Sequence, residues 1–344
     1  MINRISLKNF RSYSSATFDF TNKTNIIIGK NGVGKTNILE AINILATGSS
    51  FRVSDKDVIQ YEKNKSKITG TFDEKKRELI INDDKTKYFN IQNTKVKRIN
   101  FTQKIPTVLF EPDFMQILSR GPDKRRDYFD TILSKIHPNY QTILNKYKRS
   151  LSQRNNLLKK QQFSKDEIFV WNIKISEIGG QIAQFRMDLV SEINKTISEI
   201  YSQIAGSESK IEIIYMTKIN KHNYTDSLLK NLEKNIDTDK LMGFTSFGVH
   251  RDDFYFSINN KDANTSASRG EGRTILLALK IIETKLVEKA RGVPPILLLD
   301  DVFSELDTDR QSKLVDFLYN NQVIITTTTI TPLMKGVSGK IIEL

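Results

Sequence analysis

The chain has 344 residues, 38% of them hydrophobic, which is enough to bury a core and more than one compact unit usually holds, so two domains are expected. It contains no cysteine, which excludes disulfides, thiolate metal sites and a cysteine nucleophile. A formal net charge of +13 directs attention to an anionic partner, nucleic acid before an anionic membrane, against the plainer reading of a lysine-rich solvated surface.

The opening "MINRISLKNF" carries early charges and no apolar stretch, so no secretory signal is expected. No run reaches the roughly 18 apolar residues of a membrane helix. The expectation is a soluble cytoplasmic protein with no membrane partner.

The first element with chemistry runs from Ile26 to Ile42, "IIIGKNGVGKTNILEAI". Gly29, Lys30, Asn31, Gly32, Val33, Gly34, Lys35 and Thr36 satisfy G-x-x-x-x-G-K-[ST], with Asn37 following. Asn25–Ile28 predicts a buried strand; Ile38, Leu39, Ile42 and Leu45 predict a helix that Gly48 stops. Such a loop turns backbone N–H groups onto phosphate oxygens, and the helix N-terminus adds partial positive charge. Lys35 is expected on the β and γ phosphates of ATP, and the Thr36 hydroxyl on Mg²⁺.

Between residues 109 and 207 the pattern turns helical. Tyr140, Ile143, Leu144, Tyr147 and Leu151 share one face, and Trp171, Ile175, Ile178, Ile182, Phe185 and Leu189 step alternately by four and three, the alternation of a paired-helix seam. Trp171 on that seam is read as core rather than as a base-stacking residue. Gly179 and Gly180 inside the seam imply close helix contact. "SQRNNLLKKQQFSKDE" reads as a polar tip between the helices. Basic residues cluster at Lys95, Lys97 and Arg98, at Lys124, Arg125 and Arg126, and along Lys146, Lys148, Arg149, Arg154, Lys159 and Lys160. They read as a groove following DNA phosphates, with a solvated helix face as the plainer alternative.

"HRDD", His250 to Asp253, lacks the downstream Asn and D-F-G of a kinase and more simply precedes the strand "FYFSI". Ser268, Arg269, Gly270 and Glu271 then begin a helix bearing Ile275, Leu276, Leu279 and Ile282. This Ser-x-Gly turn is a second anion cradle. One ATP does not need two cradles from one subunit, so the second is expected to serve a facing copy. The apolar strand Ile296–Leu299 ends in Asp300, expected on Mg²⁺, and Asp301, expected to orient the attacking water. Lys35 and Asp300 lie 265 positions apart, so a large segment is inserted between them. "QVIITTTTI" is expected as the last core strand.

The order P-loop, S-R-G-E-G, L-L-L-D-D, S-E-L-D resembles the ATP-binding-cassette head. Together with "LKNFRSY", "LFEPDFMQILSRGPDKRRDYFD", "VWNIKISEIGGQI" and "GVHRDDFYFSINNKDA", it resembles the RecF family over almost the whole chain. That family comprises recombination-repair ATPases of the structural-maintenance-of-chromosomes branch. The resemblance implies an α/β P-loop head of the ABC type, residues 1–108 and 208–344, carrying an inserted helical lever arm, residues 109–207. It implies that Arg11 lies near the nucleotide, that Ser304 and Asp307 belong to a D-loop, and that Thr327 or Thr328 senses the γ-phosphate. Catalysis would then rest on Asp301, Lys35 and Thr328. The implied function is slow DNA-stimulated ATP hydrolysis timing an ATP-dependent homodimer that clamps double-stranded or gapped DNA. RecR and RecO are the implied partners, and RecA the recombinase loaded.

The chain departs from the family's S-x-G-Q-Q-R at Glu271 and Gly272. A carboxylate about 4 Å from a partner's γ-phosphate costs about 4 kcal/mol at an effective dielectric near 20, so Glu271 is expected to point away. Other readings share the head: a transporter ATPase subunit, a defence-complex ATPase, or a module that binds ATP with scarce turnover.

Overall fold

The computed structural model describes residues 1–84, 86–112, 114, 117–160, 163–318, 320–330 and 339–344. Packing divides the chain into two compact units, Met1–Met115 with Glu283–Leu344, and Gln116–Ile282.

The first unit is two sheets with a helix between them. One sheet is antiparallel, in the order β2 (Tyr13–Asp19), β1 (Ile2–Phe10), β4 (Lys65–Phe72), β5 (Lys75–Asn82), β6 (Lys87–Ile91) and β7 (Thr94–Val96). Side chains of β4 alternate in burial, as expected for a sheet with one covered face. The other is parallel, in the order β14 (Gly339–Glu343), β3 (Thr24–Ile28), β13 (Val323–Thr327), β12 (Ile296–Asp300) and β8 (Thr107–Phe110). Its β12 and β13 are buried almost throughout and therefore read as unbroken apolar runs.

Helix α1 (Lys35–Thr47) ends at Gly48, whose φ of 96° suits glycine. The helix buries Ile38, Leu39, Ile42 and Leu45 in a core shared with Ile5, Leu7, Ile68 and Leu79 of the antiparallel sheet and Leu298 and Ile324 of the parallel one. A Cβ at Gly70 of β4 would stand 2.6 Å from Leu45 Cδ2, so glycine lets the sheet approach the helix without displacing that leucine. This sheet order accounts for the long separation of the motifs: β3 and β12, distant in sequence, flank β13 in register.

The second unit contains α2 (Pro122–Ile136), α3 (Tyr140–Lys160), α4 (Lys165–Asn194), α5 (Ile197–Ala205), α6 (Tyr224–Lys234), α7 (Ile236–Met242) and α8 (Ala263–Ser266). Its sheet has the order β11 (Lys261–Asp262), β10 (Asp253–Ile258), β9 (Ile211–Met216). Helix α9 (Arg269–Arg291) runs from the second unit into the first. The sequence division at residue 207 and the packing division differ in residues 208–282. Phe129 of α2 stacks on Phe254 of β10 with centroids 3.8 Å apart, and Asn194 at the end of α4 bonds Ile213 of β9 in both directions, tying this segment to the helices.

Gly180 of α4 stands so close to α6 that a Cβ would meet Thr225 Oγ1 at 2.1 Å, which is the close contact expected of the glycine pair. Trp171 is half-buried, with Lys174 Nζ 4.7 Å above its ring. The polar tip is shorter than expected. Helix α3 continues to Lys160, and Ser164 closes a capping box with Glu167 to start α4. Gln161 and Gln162 of that tip, and Asp113, Met115 and Gln116 of the preceding family-like segment, lie outside the described residues.

Arg154, read from sequence as part of the basic groove, is instead wholly buried and paired with buried Asp239 at 2.7 Å, because α7 brings a carboxylate against α3. Around "HRDD", His250 Nδ1 lies 2.8 Å from Tyr147 Oη, and burial pushes the imidazole down to about 4. Asp252 accepts from Tyr215 and Tyr224, and burial holds its pKa above the usual carboxylate range. That segment leads into β10 as expected, with Asp252 packed inside the fold and Arg251 exposed. Among the described residues no helix is long and apolar enough to cross a membrane.

Candidate active site

The loop from β3 to α1 places Gly32 at φ 82° and Gly34 at φ 105°, left-handed conformations in which other residues are strained. A Cβ at Gly34 would meet Ser12 Oγ and Tyr13 Oη, each at 2.8 Å, so the β1–β2 turn leans directly on the loop. Asn37 Nδ2 donates to Ser12 Oγ at 3.0 Å and fixes the same contact. Lys30, Asn31, Gly32 and Val33 are exposed, whereas Lys35 is buried with its ammonium donating to Gly29 O at 2.7 Å and Lys30 O at 3.0 Å.

The loop is tied to β12 by side chains. Thr36 Oγ1 donates to Asp300 Oδ1 at 2.9 Å, and Thr326 Oγ1 donates to the same oxygen at 2.7 Å. Thr326 also accepts the Asp301 N–H at 3.1 Å. Asp301 has a φ of 50°, unusual for a residue with a side chain, and its buried Oδ1 has no hydrogen-bond partner. Burial raises its pKa, the charges of Asp300 and Glu305 add to the rise, and Lys35 opposes it. A carboxylate with a raised pKa and an unpartnered buried oxygen beside a phosphate loop has the character of a proton acceptor.

Downstream, Ser304 Oγ donates to Asp301 O at 2.6 Å. Asp307 accepts the Arg310 N–H at 2.9 Å and pairs with its guanidinium, contacts that hold its carboxyl below the usual range. At the end of β13, Thr327 closes its own turn by donating to Thr329 O at 2.8 Å, while Gly29 N donates to Thr327 O at 3.3 Å. Thr328 is half-buried and its hydroxyl has no partner among the described residues.

Arg11 sits on the β1–β2 turn with its fork spent on protein. Nε and Nη2 grip Glu40 at 2.8 and 2.9 Å, and Nη1 donates to Asp57 O at 3.0 Å. In the second unit, Ser268 begins α9 as a capping box with Glu271: Ser268 N donates to Glu271 Oε2 at 2.7 Å and Glu271 N to Ser268 Oγ at 3.2 Å. These bonds hold the Glu271 carboxyl below its usual range. Arg269 is exposed and Gly270 partly so.

The expected DNA contacts divide into two groups. Lys97, Arg98, Lys148 and Arg149 are exposed. Arg125 instead grips Asp253 at 2.7–2.8 Å, and Arg126 bonds Asp252 O at 2.6 Å and pairs with Asp123. Sequence reasoning missed Thr326 and Glu40. Thr326 opens a run of four threonines, the first two on a strand buried on both faces, where alternation gives no signal; an acid at Glu40, set between the apolar Leu39 and Ala41 of the P-loop helix, was a usable hint.

The glycine cradle, the Thr36–Asp300 pair and the orphaned Asp301 oxygen together fit a nucleoside triphosphate with a divalent ion: a hydroxyl and a carboxylate for the metal, loop amides and Lys35 for phosphate. The fold and this site define a P-loop ATPase head of the ABC/SMC type. The family model RecF/RecN/SMC N terminal domain matches residues 1–341. A DNA replication and repair protein RecF of Clostridium beijerinckii is 34% identical over 348 residues, spanning 99% of this chain and 95% of its own. A solved structure of the recombination mediator protein RecF-ATPrS in the RecFOR pathway superposes with a TM-score of 0.90 at 30% identity, covering 100% of this chain and 96% of that one. An Smc head bound to the C-winged helix domain of ScpA shares the fold at a TM-score of 0.57 and 16% identity, over 97% of this chain and 90% of that one. The chain belongs to the RecF family of DNA replication and repair proteins.

Proposed function

We propose that the protein binds and slowly hydrolyses ATP to close and reopen a homodimeric clamp on DNA. The observation that carries this is the joint at Asp300, where Thr36 of the P-loop and Thr326 of β13 meet one carboxylate beside the unpartnered oxygen of Asp301. The named relatives support the same reading, being described as replication and repair proteins and, in one solved case, as RecF-ATP of the RecFOR pathway.

Gly29–Thr36 and Asn37 would seat the triphosphate, with Lys35 leaving its loop carbonyls for the β and γ oxygens. Thr36 and Asp300 would hold Mg²⁺, which when bound offsets charge on the phosphoryl oxygens. Asp301 would take up a proton from the attacking water. Thr328, with its hydroxyl uncommitted, would sense the γ-phosphate in preference to Thr327. Arg11 supports the loop through Glu40 and the β1–β2 turn. Ser268, Arg269, Gly270 and Glu271 would close the partner copy's site, with Ser304 and Asp307 beside that junction, in a two-fold arrangement.

Lys97, Arg98, Lys148 and Arg149 would contact DNA phosphates, giving salt-sensitive binding without base readout. Arg125 and Arg126 would shape that surface through the bonds they make within the fold. The head and lever-arm division at residues 109–207 belongs to this proposal. So do preference for gapped or single-strand/duplex junctions, DNA-stimulated turnover, action with RecR and RecO, and loading of RecA.

The test is mass photometry on gapped duplex with and without ATP–Mg²⁺. An ATP-dependent two-subunit complex on DNA that Ser268→Arg abolishes is expected. A monomer indifferent to both ligands would overturn the clamp.

A further inference from the structure

The loop joining β7 to β8 is held rigid by its own polar groups. Asn100 Oδ1 accepts from Thr102 Oγ1 at 2.8 Å and Gln103 N at 2.9 Å, Asn100 N donates to Gln103 Oε1 at 3.0 Å, and Ile105 N is pinned to Ala46 O at 3.0 Å. Two arginines distant in sequence converge on its carbonyls. Arg77 of β5 donates Nη2 to Gln103 O. Arg291, in the last turn of α9, donates Nη2 to Phe101 O at 2.9 Å and Lys104 O at 2.7 Å, with its guanidinium 4.2 Å over the Phe101 ring. Lys104 belongs to the same loop.

One anomaly is shared by these three cations and a second belongs to Arg77 alone. Among the described residues, none of them has a carboxylate within ion-pair distance, although the chain offers 40 acidic residues. Arg77 is only 8% exposed, and its Nη1 is buried with no hydrogen-bond partner. A buried guanidinium normally has a counter-charge, because desolvating it alone is costly. Carbonyl dipoles of the loop offset part of that cost, but leave Arg77 Nη1 with nothing to donate to. Burial lowers the pKa of Arg77, Lys104 and Arg291, and the charge of Arg291 lowers Lys104 further.

We propose that the loop and its three cations form an oxyanion cradle, separate from the P-loop, in which Arg77, Lys104 and Arg291 take a phosphate group. A phosphate suits it because its several acceptor oxygens and one or two negative charges can answer cations that have no carboxylate of their own. Exposed Lys97 and Arg98 lie immediately upstream in the chain, so the phosphate can belong to a nucleic-acid backbone as well as to free phosphate. The backbone source rests on the proposed DNA binding; the cradle itself does not. The competing role, cations that merely cap turn carbonyls, predicts no response to any phosphate.

The experiment uses the full chain carrying Lys35→Ala, so that P-loop binding of phosphate is suppressed, with and without Lys104→Gln or Arg291→Gln. One arm follows thermal unfolding against inorganic phosphate at constant ionic strength; the other follows fluorescent duplex binding across a salt series. A phosphate-dependent rise in melting temperature that Lys104→Gln removes identifies free phosphate as a ligand. A fall of about one in the slope of log affinity against log salt per cation removed identifies a backbone phosphate. Either result supports the cradle. If Lys104→Gln and Arg291→Gln change neither arm, the cradle is overturned. Lys104 keeps part of its surface in solvent, so its variant stays informative even if altering Arg291 unfolds the chain. A parent that ignores duplex yet responds to phosphate would sink the DNA reading and leave the cradle standing.

Discussion

Thr326 donates its hydroxyl to Asp300 Oδ1 at 2.7 Å and accepts the backbone N–H of Asp301 at 3.1 Å, so one buried side chain sets both acids at the end of β12. Thr36 reaches the same Asp300 oxygen from the P-loop at 2.9 Å, leaving the carboxylate little freedom to turn. A hydrogen bond to a charged group is worth about 1.5–3 kcal/mol, or roughly 10- to 100-fold in rate if it is needed at the transition state. Thr326→Val is therefore expected to lower kcat by about that factor and to weaken Mg²⁺-dependent binding of a fluorescent ATP analogue. Thr326→Ser is expected to restore both. Equal loss in the Val and Ser variants would reduce Thr326 to a packing residue.

The Asp301 carboxyl is raised by burial, then by Asp300 and Glu305. As the proton acceptor it must be ionised, so turnover should climb with pH along a limb displaced above the ordinary aspartate range near 4. Its effect on stability has the opposite sense. Folding favours the neutral form; the stability this gives is present below the unfolded pKa and is lost as pH rises through the raised folded value. At neutral pH the ionised group is then a burden, and Asn also suits the φ of 50° better. Asp301→Asn should abolish hydrolysis while keeping ATP binding, and should melt higher than wild type at pH 7 but not at pH 4. Scanning calorimetry at the two pH values, beside a phosphate-release assay, checks both halves.

The parts of this fold that were legible in the sequence are those whose chemistry is local. The glycines of Gly29–Thr36, the apolar run before Asp300 and the stop at Gly48 each act within a few residues, and β3, α1 and β12 follow them. Charges were a different matter. Arg154 and Arg125 sit in basic runs that resemble a solvated face, yet their partners Asp239 and Asp253 lie 85 and 128 residues away. A run of like charges shows how many cations there are but not which distant carboxylate folding will bring to them. Thr326 was hidden for another reason: it opens a run of four threonines at the end of a strand covered on both faces, and these look alike until β12 is placed beside them.

Ser268 and Glu271 answer each other across the first turn of α9, the serine N–H on the carboxylate and the serine hydroxyl under the Glu271 N–H. Glu271 thus occupies the very N–H that the turn could offer to a phosphate. Glutamine can keep the box and sheds the charge. Glu271→Gln is expected to fold with little change in stability at pH 7 and to tighten ATP-dependent dimerisation roughly fivefold, the scale of an exposed charge contact. The Glu271 pKa is depressed, so its stabilising share is present above the unfolded value near 4.3 and fades as pH falls through the folded one. The variant should lack that acid-side loss. Sedimentation equilibrium with ATP–Mg²⁺ reads the dimer, and weaker association of Glu271→Gln would show that the carboxylate aids closure.

Arg154 and Asp239 are both wholly buried and make their pair at 2.7 Å between α3 and α7. The guanidinium is completed by Asn172 Oδ1 at 2.7 Å, Thr245 Oγ1 at 2.8 Å and Leu232 O at 3.3 Å, so one side chain ties together α3, α4, α6 and the turn after α7. Removing one partner of such a pair strands a charge away from water and costs about 3–5 kcal/mol, whereas exchanging both for apolar residues of similar volume is often neutral. Asp239→Asn should therefore lower the urea midpoint of the second unit sharply, and Arg154→Met with Asp239→Leu should recover much of the loss. Trp171, the single tryptophan, neighbours Asn172 on α4 and reports this unit by fluorescence. Fluorescence midpoints for the two single variants and the double variant decide the matter: if the losses simply add, the pair is not coupled and the network holds the unit together by packing alone.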